Sequence, residues 1–194
     1  IVDSLVGSEM CIRDRYRHRI MLKIKNVSAG NLPDEVNVII EIPANSSPVK
    51  YEMDKESGAM FVDRFLSSPM FYPCNYGFVP DTLAEDGDPT DVLVITPYPL
   101  MSHSVITVRP VGVLLMTDEA GKDSKILAVP TDNLSEAYRH IRCIDDVETT
   151  LKNQIEHFFK YYKDLDDGKW VTIEGWGDAE EAKQELLKDR HAKN

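Results

Sequence analysis

The sequence predicts an α+β fold in which an antiparallel, curled or barrel-like sheet comes first and helices pack against it later. Short runs of β-branched and aromatic residues, separated by turn residues, fill the chain as far as residue 131. No strand–helix–strand alternation appears before residue 130, which argues against a parallel α/β sheet. The stretches with helical periodicity both follow this strand-rich part.

The strand predictions rest on alternation and on the residues that end each run. Residues 36–44 alternate and are β-branched, and Pro43 ends the run. Residues 49–53 and 59–65 are two further short strands, joined by a polar turn. The remaining predicted strands cover residues 92–99, 105–116 and 125–131.

Helices are predicted near the end of the chain. Residues 145–165 carry one apolar stripe, which is formed by Val147, Leu151, Ile155, Phe158, Phe159 and Tyr162. In residues 178–191, Asp178 is followed three residues later by Glu181, which is the capping-box pattern of a helix start. This second stretch becomes basic at its end, as the helix dipole favours.

The length of 194 residues indicates one domain, but the first twenty residues do not match the rest. They place four arginines between positions 13 and 19 before an acidic body, and they lack the pattern of a signal peptide. Met21 opens a segment that has the character of a native start. We therefore expect residues 1–20 to be an extension outside the fold, disordered or artefactual, and residues 21–194 to form a single domain. A basic targeting arm is the alternative for residues 1–20.

The overall charge limits the class of partner. Lys and Arg number 22 against 33 Asp and Glu, a net charge of −11, which disfavours binding to nucleic acid or to an anionic membrane. A small phosphate ligand remains compatible, because metal ions can reverse the local field. The sequence has no run of 18 apolar residues, so no transmembrane helix is predicted. Three cysteines without CxxC spacing indicate reduced thiols in a cytoplasm, with a catalytic cysteine as the less favoured alternative.

Residues 85–93, EDGDPTDVL, crowd Asp86, Asp88 and Asp91 into six positions. A solvated surface turn would explain the polarity. It would not explain the charge, because carboxylates held roughly 5 Å apart repel by about 3 kcal/mol per pair at an effective dielectric near 20. A cation site is the functional alternative.

A second acidic group, Asp118, Glu119 and Asp123, surrounds Gly121. Alone it predicts a solvated hairpin tip. Combined with the first group it offers carboxylate oxygens on two loops, the ligands that Mg²⁺ prefers, above all when phosphate oxygens complete the shell. His is absent from both loops, which argues against zinc.

Charged residues also interrupt the predicted strands. Lys50 and Glu52 share one face of residues 49–53, Glu41 lies among apolar residues of the first strand, and Arg64 lies within residues 59–65. Each alone is compatible with a salt bridge at the rim. Together we expect them to line the mouth or lumen of the curled sheet.

The acidic segment departs from two known acidic motifs. An EF-hand loop needs Gly at its sixth position and Glu at its twelfth, but counting from Asp86 these are Asp91 and Pro97. The DGDPT stretch also matches the signature of haloacid-dehalogenase-like phosphatases, but here the apolar run follows it instead of preceding it. Two classes without turnover stay open: an oligonucleotide-binding barrel with stacking aromatics, and a structural cation-binding module.

Four segments, residues 41–65, 70–94, 109–125 and 157–165, closely resemble soluble family I inorganic pyrophosphatases of the bacterial type. The stretch DGDPTDVLV contains that family's signature, and the resemblance runs from about residue 21 to the end of the chain. It implies a five-stranded, OB-like antiparallel β-barrel with flanking α-helices. It also implies a cytoplasmic homohexamer that hydrolyses pyrophosphate, the by-product of biosynthetic reactions, with several Mg²⁺ ions in each active site.

The resemblance also implies roles for individual residues by motif position. The carboxylate that orients and deprotonates the attacking water is Asp88. The metal ligands are Asp86, Asp91, Asp118 and Asp123. The groups that hold phosphate are Lys50, Arg64, Tyr76, Lys125, Tyr162 and Lys163. The supporting positions are Glu41, Glu52, Tyr72 and Glu119.

Overall fold

Strands dominate the architecture, which a computed structural model describes for residues 27–192. The strands are β1 (Gly30–Asn31), β2 (Glu35–Ile42), β3 (Val49–Met53), β4 (Met60–Phe65), β5 (Asn75–Phe78), β6 (Asp91–Val94), β7 (Val105–Asp118), β8 (Gly121–Lys122), β9 (Lys125–Pro130) and β10 (Val171–Gly177). The predicted extension at residues 1–20 and the start at Met21 lie outside the described residues.

The main sheet has the strand order β1-β2-β5-β6-β9-β7-β10, with β8 paired to β7. Because β2 also pairs with β7, the strands β2, β5, β6, β9 and β7 pair in turn and the sheet curls into a partial ring. Strands β3 and β4 form a separate two-stranded sheet. The predicted curled sheet is therefore present; the closed OB-like barrel goes further than these pairings and stays a prediction.

The predicted antiparallel arrangement is wrong at one pair, because β6 and β9 run parallel, with Val92 beside Ile126 and Val94 beside Ala128. The reason is parity. Each of the other neighbouring pairs in the sequence β2, β5, β6, β9, β7 is antiparallel. Because β7 also pairs with β2, each of these five strands has two partners among the five. Direction cannot alternate around an odd number of strands connected in this way, so at least one pair must be parallel.

Local patterns placed most strands but missed β5 and β10 and overextended β6, which ends at Val94. Strand β5 contains Gly77, where an added Cβ would lie 2.0 Å from the carbonyl oxygen of Ile39 on β2. Only glycine permits this close approach of two backbones. Strand β10 contains a bulge between Ile173 and Gly175, which breaks its alternation.

Both predicted helices are present, as α1 (Thr149–Tyr161) and α2 (Ala179–Ala192), but α1 is shorter at both ends than the predicted stretch of residues 145–165. The capping box before α2 is formed: Asp178 N–H donates to Glu181 Oε2 at 2.9 Å, and Glu181 N–H donates to Asp178 Oδ1 at 2.9 Å. Short 3₁₀ turns occupy Glu136–Tyr138 and Ile144–Asp146 before α1. Among the described residues no helix combines the length and the apolar character needed to cross a membrane.

The two helices cover opposite faces of the main sheet. Side chains alternate along β6, so Leu93 packs in the cluster that contains Phe158 and Phe159 of α1. Its neighbours on β6, Val92 and Val94, pack in the cluster that contains Ala182 and Leu186 of α2. Strand β6 therefore packs against a hydrophobic cluster on each face. These contacts fix the position of the loop that precedes β6.

Candidate active site

A cavity of about 260 Å³ opens where the β3–β4 hairpin, the two acidic loops and the end of α1 meet. We call residues 79–91, from the end of β5 to the first residue of β6, the acidic loop, and residues 118–123, from the last residue of β7 to the residue after β8, the acidic hairpin. Every residue that the sequence assigned to catalysis, metal, phosphate or support lines this cavity. Its charged and aromatic lining is Glu41, Lys50, Glu52, Lys55, Arg64, Tyr72, Tyr76, Phe78, Asp86, Asp88, Asp91, Asp118, Glu119, Asp123, Lys125, Phe159, Tyr162 and Lys163.

The acidic loop turns sharply at Gly87, whose φ of 91° lies in the left-handed region that favours glycine. Asp86 Oδ1 accepts a hydrogen bond from Asp88 N–H at 2.9 Å, and the Asp88 carbonyl accepts one from Ala84 N–H at 2.7 Å. Asp86 and Asp88 are exposed to the cavity, whereas Asp91, the first residue of β6, is half-buried. The loop thus presents two solvated carboxylates and one that is partly desolvated.

The acidic hairpin is less solvated than its sequence predicts. Asp118 is only 6 % exposed, and both of its carboxylate oxygens have partners: Ala120 N–H donates to Oδ1 at 2.8 Å, and Lys163 Nζ lies 2.7 Å from Oδ2. The prediction of a solvated tip is therefore wrong for Asp118. Burial acts to raise the pKa of Glu119, but the hydrogen bond from Lys169 and the charge of Lys163 lower that pKa to about 2.

Lys125 connects the two acidic elements from inside the protein. Its ammonium group forms ion pairs with Asp91 of the acidic loop and with Asp123 of the acidic hairpin, and the residue is only 4 % exposed. Burial opposes the charge, but the attraction of the two carboxylates outweighs it and raises the pKa of Lys125. Lys125 is therefore a permanent cation at neutral pH.

Cations from the β3–β4 hairpin form the facing wall. Lys50 lies opposite Arg64 in the β3–β4 register, so both side chains project from one region of the hairpin. Lys50 pairs with Glu52 and lies 3.6 Å from Asp63. Burial opposes the ammonium charge, but these carboxylates raise the pKa of Lys50 above its ordinary value. An anion in the cavity therefore meets protonated groups on this side.

Buried tyrosines add hydroxyl groups to the wall. Tyr72, Tyr76 and Tyr162 are all less than 9 % exposed. Burial raises the pKa of both Tyr72 and Tyr76, so their hydroxyls remain protonated at neutral pH and are able to donate hydrogen bonds. The ammonium of Lys163 lies over the ring of Tyr162, 5.5 Å from its centroid, which is a cation–π contact.

Glu41 lies at the back of the cavity with 7 % of its surface exposed. Its Oε1 accepts a hydrogen bond from Met53 N–H at 2.8 Å, which connects β2 to the end of β3. Burial is the main cause that raises the pKa of Glu41 to about 8. This carboxyl group therefore changes charge within the physiological pH range.

Sequence reasoning missed one charged residue of the cavity lining, Lys55. Its Nζ lies 3.1 Å from Asp88 Oδ1, and both side chains are more than half exposed. Lys55 belongs to the polar turn between β3 and β4, where the sequence carries no apolar pattern to single it out. Only the folding of that hairpin over the acidic loop brings the pair together.

The donor chemistry of the cavity fits divalent metal ions. Its carboxylate oxygens are the ligands of hard cations, and none of the lining side chains is His or Cys. Within residues 27–192 no three His, Cys, Asp or Glu side chains converge closely enough to hold an ion. Lys125 and Lys163 neutralise Asp91, Asp118 and Asp123 instead. Since an ammonium group and a metal ion would use the same oxygens, these lysines compete with metal.

Comparison with known proteins gives a consistent set of relatives. The family model "Inorganic pyrophosphatase" matches residues 38–193. The chain is 61% identical to the inorganic pyrophosphatase of Vibrio vulnificus and 60% identical to that of Escherichia coli, each over 86% of this chain and 95% of the relative. A solved structure of an inorganic pyrophosphatase from Coxiella burnetii superposes with a TM-score of 0.84 at 52% identity, and covers 87% of this chain and 100% of that one.

Proposed function

The chain belongs to the inorganic pyrophosphatase family, and from that premise we propose that its acidic cavity hydrolyses pyrophosphate to two orthophosphates with the help of divalent metal ions. The observation that carries the proposal is the arrangement of charge in one cavity. Carboxylates of the acidic loop and the acidic hairpin face cations of the β3–β4 hairpin. The substrate is an anion that binds as a metal complex, and such a cavity offers oxygens to the metal and ammonium groups to the phosphates.

We propose Mg²⁺ as the preferred ion, supported by the all-oxygen donor set. Asp86, Asp91 and Asp123 would hold a first ion, and Asp91 would also serve a second. Asp118 and Asp123 would hold a third. When bound, the ions lower the pKa of the attacking water and neutralise charge on the transferred phosphoryl group.

Asp88 orients the attacking water and accepts its proton. Its exposure to the cavity supports this role, because the carboxylate can reach a water that bound substrate places above the acidic loop. Lys55, whose Nζ lies 3.1 Å from Asp88 Oδ1 and which also lines the cavity, holds the carboxylate in position. The tight turn at Gly87 keeps Asp88 beside Asp86.

The facing wall holds the phosphate oxygens. Ammonium and guanidinium groups neutralise the charge that the transition state places on these oxygens. The buried tyrosine hydroxyls add hydrogen bonds whose direction is fixed by packing. The phosphate-binding set is Lys50, Arg64, Tyr76, Lys125, Tyr162 and Lys163, and the supporting set is Glu41, Glu52, Tyr72 and Glu119.

The test is phosphate release from pyrophosphate with Mg²⁺ and with a chelator, for wild type and for two substitutions in the acidic loop. Asp91→Asn should weaken metal binding, so part of the lost rate should return at high Mg²⁺. Asp88→Asn removes the base, so the rate should fall by roughly 10²–10⁴-fold without rescue. Asp34→Asn, at a carboxylate that pairs with Lys183 of α2 away from the cavity, is the matched control and should leave the rate unchanged.

Rescue of Asp88→Asn by Mg²⁺ together with no rescue of Asp91→Asn would reverse the two roles. Turnover in the chelator would contradict the proposal of a metal-dependent reaction altogether.

We further propose that residues 21–194 act as one domain and assemble into a cytoplasmic homohexamer that binds neither nucleic acid nor membrane. Large apolar side chains exposed on the surface support assembly, among them Phe65, Tyr98 and Met101, each at least 76 % exposed. Light scattering after size-exclusion chromatography measures the mass of the assembly. A monomer at micromolar concentration would contradict the hexamer.

A further inference from the structure

Helix α2 contacts both acidic elements from the side that faces away from the cavity. Lys188 pairs with Glu85, the residue before Asp86 in the acidic loop. Lys122, the residue before Asp123 in the acidic hairpin, donates to Glu185 of α2 at 2.6 Å. Both ion pairs are partly exposed, so screening leaves each with little effect on its own.

A third contact of α2 is buried. Thr90 Oγ1 donates a hydrogen bond of 2.6 Å to Asp189 Oδ2, and the two residues are 4 % and 5 % exposed. Thr90 directly precedes Asp91. The Asp189 carbonyl also accepts Leu83 N–H at 3.2 Å, which uses one of the last four carbonyls of α2, those without a partner inside the helix. Asp189 therefore holds the acidic loop both near its start and at its end.

The bonds within the acidic loop show why this anchor matters. Thr90 N–H donates to Thr82 Oγ1 at 2.9 Å, and Thr82 in turn donates to the Val79 carbonyl at 2.7 Å. Val79 N–H donates to the Thr90 carbonyl at 3.0 Å, which closes the base of the loop. These bonds join loop residues to one another, whereas Asp189 joins the loop to a helix that is packed on the core.

We propose that Asp189 is a positioning residue, which acts through Thr90 to hold the carboxylates of the acidic loop in the geometry that binds divalent metal ions. Asp189 does not line the cavity, so its effect is indirect. Like charges on the acidic loop repel one another and would spread the loop before an ion arrives. An anchor at Thr90 opposes that movement. The inference rests on the proposed function, in which Asp86 and Asp91 are metal ligands.

The experiment compares Mg²⁺ binding, measured by calorimetry without substrate, with the steady-state rate at saturating Mg²⁺. Thr90→Val removes the donor at nearly constant volume, and Thr90→Ser keeps it. A hydrogen bond to a charged group corresponds to a factor of about 10 to 100 in an equilibrium constant. Because only part of the free energy of this hydrogen bond contributes to metal binding, the Mg²⁺ dissociation constant of Thr90→Val should rise by about fivefold or more. Thr90→Ser should bind as wild type does, and the saturated rate should change little in either.

Asp189→Ala removes the acceptor from the helix side and keeps the inference testable if Thr90→Val fails to fold; it should weaken Mg²⁺ binding to the same extent. Leu186→Val is the matched control, because this substitution at a fully buried residue of α2 loosens the packing of the helix and keeps the hydrogen bond between Thr90 and Asp189. If Leu186→Val weakened Mg²⁺ binding as much as Asp189→Ala does, the inference would be overturned, since packing of α2 on the core would explain the effect without the bond to Thr90.

Unchanged Mg²⁺ binding in Thr90→Val or in Asp189→Ala would also overturn it. Wild type in the same assays separates this failure from a failure of the proposed function. If wild type neither binds Mg²⁺ nor releases phosphate, both the proposed function and the role of Asp189 are contradicted. A wild-type protein that does both while the variants bind normally removes this inference alone.

Discussion

Glu41→Gln should stabilise the metal-free protein at alkaline pH, and the structure gives the size of the effect. The carboxyl group has a pKa of about 8 in the folded state against 4.5 as its ordinary value, because burial disfavours its charged form. A group with a raised folded-state pKa contributes stability that is complete below pH 4.5. That contribution is lost as the pH rises through the folded-state value. Glutamine carries no charge at any pH and still accepts the hydrogen bond from Met53 N–H.

The magnitude follows from the separation of the two pKa values. Each unit corresponds to about 1.4 kcal/mol, so the wild type should lose about 3–4 kcal/mol relative to Glu41→Gln between pH 5 and pH 8. For a domain of this size each kcal/mol shifts the melting temperature by roughly 2–4 °C. The variant should therefore melt about 6–16 °C higher than wild type at pH 8, with most of the difference absent at pH 5.

Urea unfolding at pH 5, 6, 7 and 8 in a chelator measures this difference as the gap between the two free energies of unfolding. The chelator is needed because a bound cation near Glu41 would lower its pKa. Glu56→Gln, at an exposed residue of the β3–β4 hairpin, is the control and should show no such trend. A gap between Glu41→Gln and wild type that stays constant from pH 5 to pH 8 would refute the reasoning.

Three further perturbations test the site and the fold. Ca²⁺ should support little phosphate release and should inhibit the Mg²⁺ reaction, because it is larger and looser in geometry and would misplace the water; equal turnover with both ions would contradict this. Lys125→Met should tighten Mg²⁺ binding without substrate by about tenfold or more, because it frees Asp91 and Asp123 from a competing charge. Lys125→Met should also weaken substrate binding. An Mg²⁺ dissociation constant equal to that of wild type in calorimetry would contradict the competition between Lys125 and metal. Gly77→Ala should destabilise the fold by more than about 2 kcal/mol in urea unfolding, because its Cβ would lie 2.0 Å from the Ile39 carbonyl oxygen. A variant as stable as wild type would show that β2 and β5 can move apart.

The sequence predicts well those features whose cause lies within a few residues. The alternation of residues 49–53 predicted β3 at its observed bounds, and the capping pair Asp178 and Glu181 marked the start of α2. The acidic loop was likewise visible, because its crowded carboxylates lie within a single turn. The roles of individual residues came from the resemblance to a family and stay predictions.

Strand β10 was missed because of a local bulge, whereas the other missed features depend on partners far away in the chain. Strand β5 needs its glycine because the backbone of β2 lies too close for a side chain. The parallel pair of β6 and β9 follows from the odd number of strands that pair around the partial ring. Lys55 meets Asp88 across 33 positions, and Thr90 meets Asp189 across 99. No window of sequence contains both members of such a pair, so local periodicity could not have found them.

The ion pairs of the cavity suggest how a strongly charged site stays folded and still binds its ligands. Lys125 and Lys163 are buried, and leaving either the ammonium groups or their carboxylates unpaired would be strongly destabilising. Under the proposed function, Asp91, Asp118 and Asp123 would hold metal ions in place of the ammonium groups, and Lys125 and Lys163 would hold phosphate oxygens in place of the carboxylates. Each buried charge thus keeps a partner before and after binding. The exchange would link metal and substrate binding, since a lysine released by metal would be free to hold phosphate.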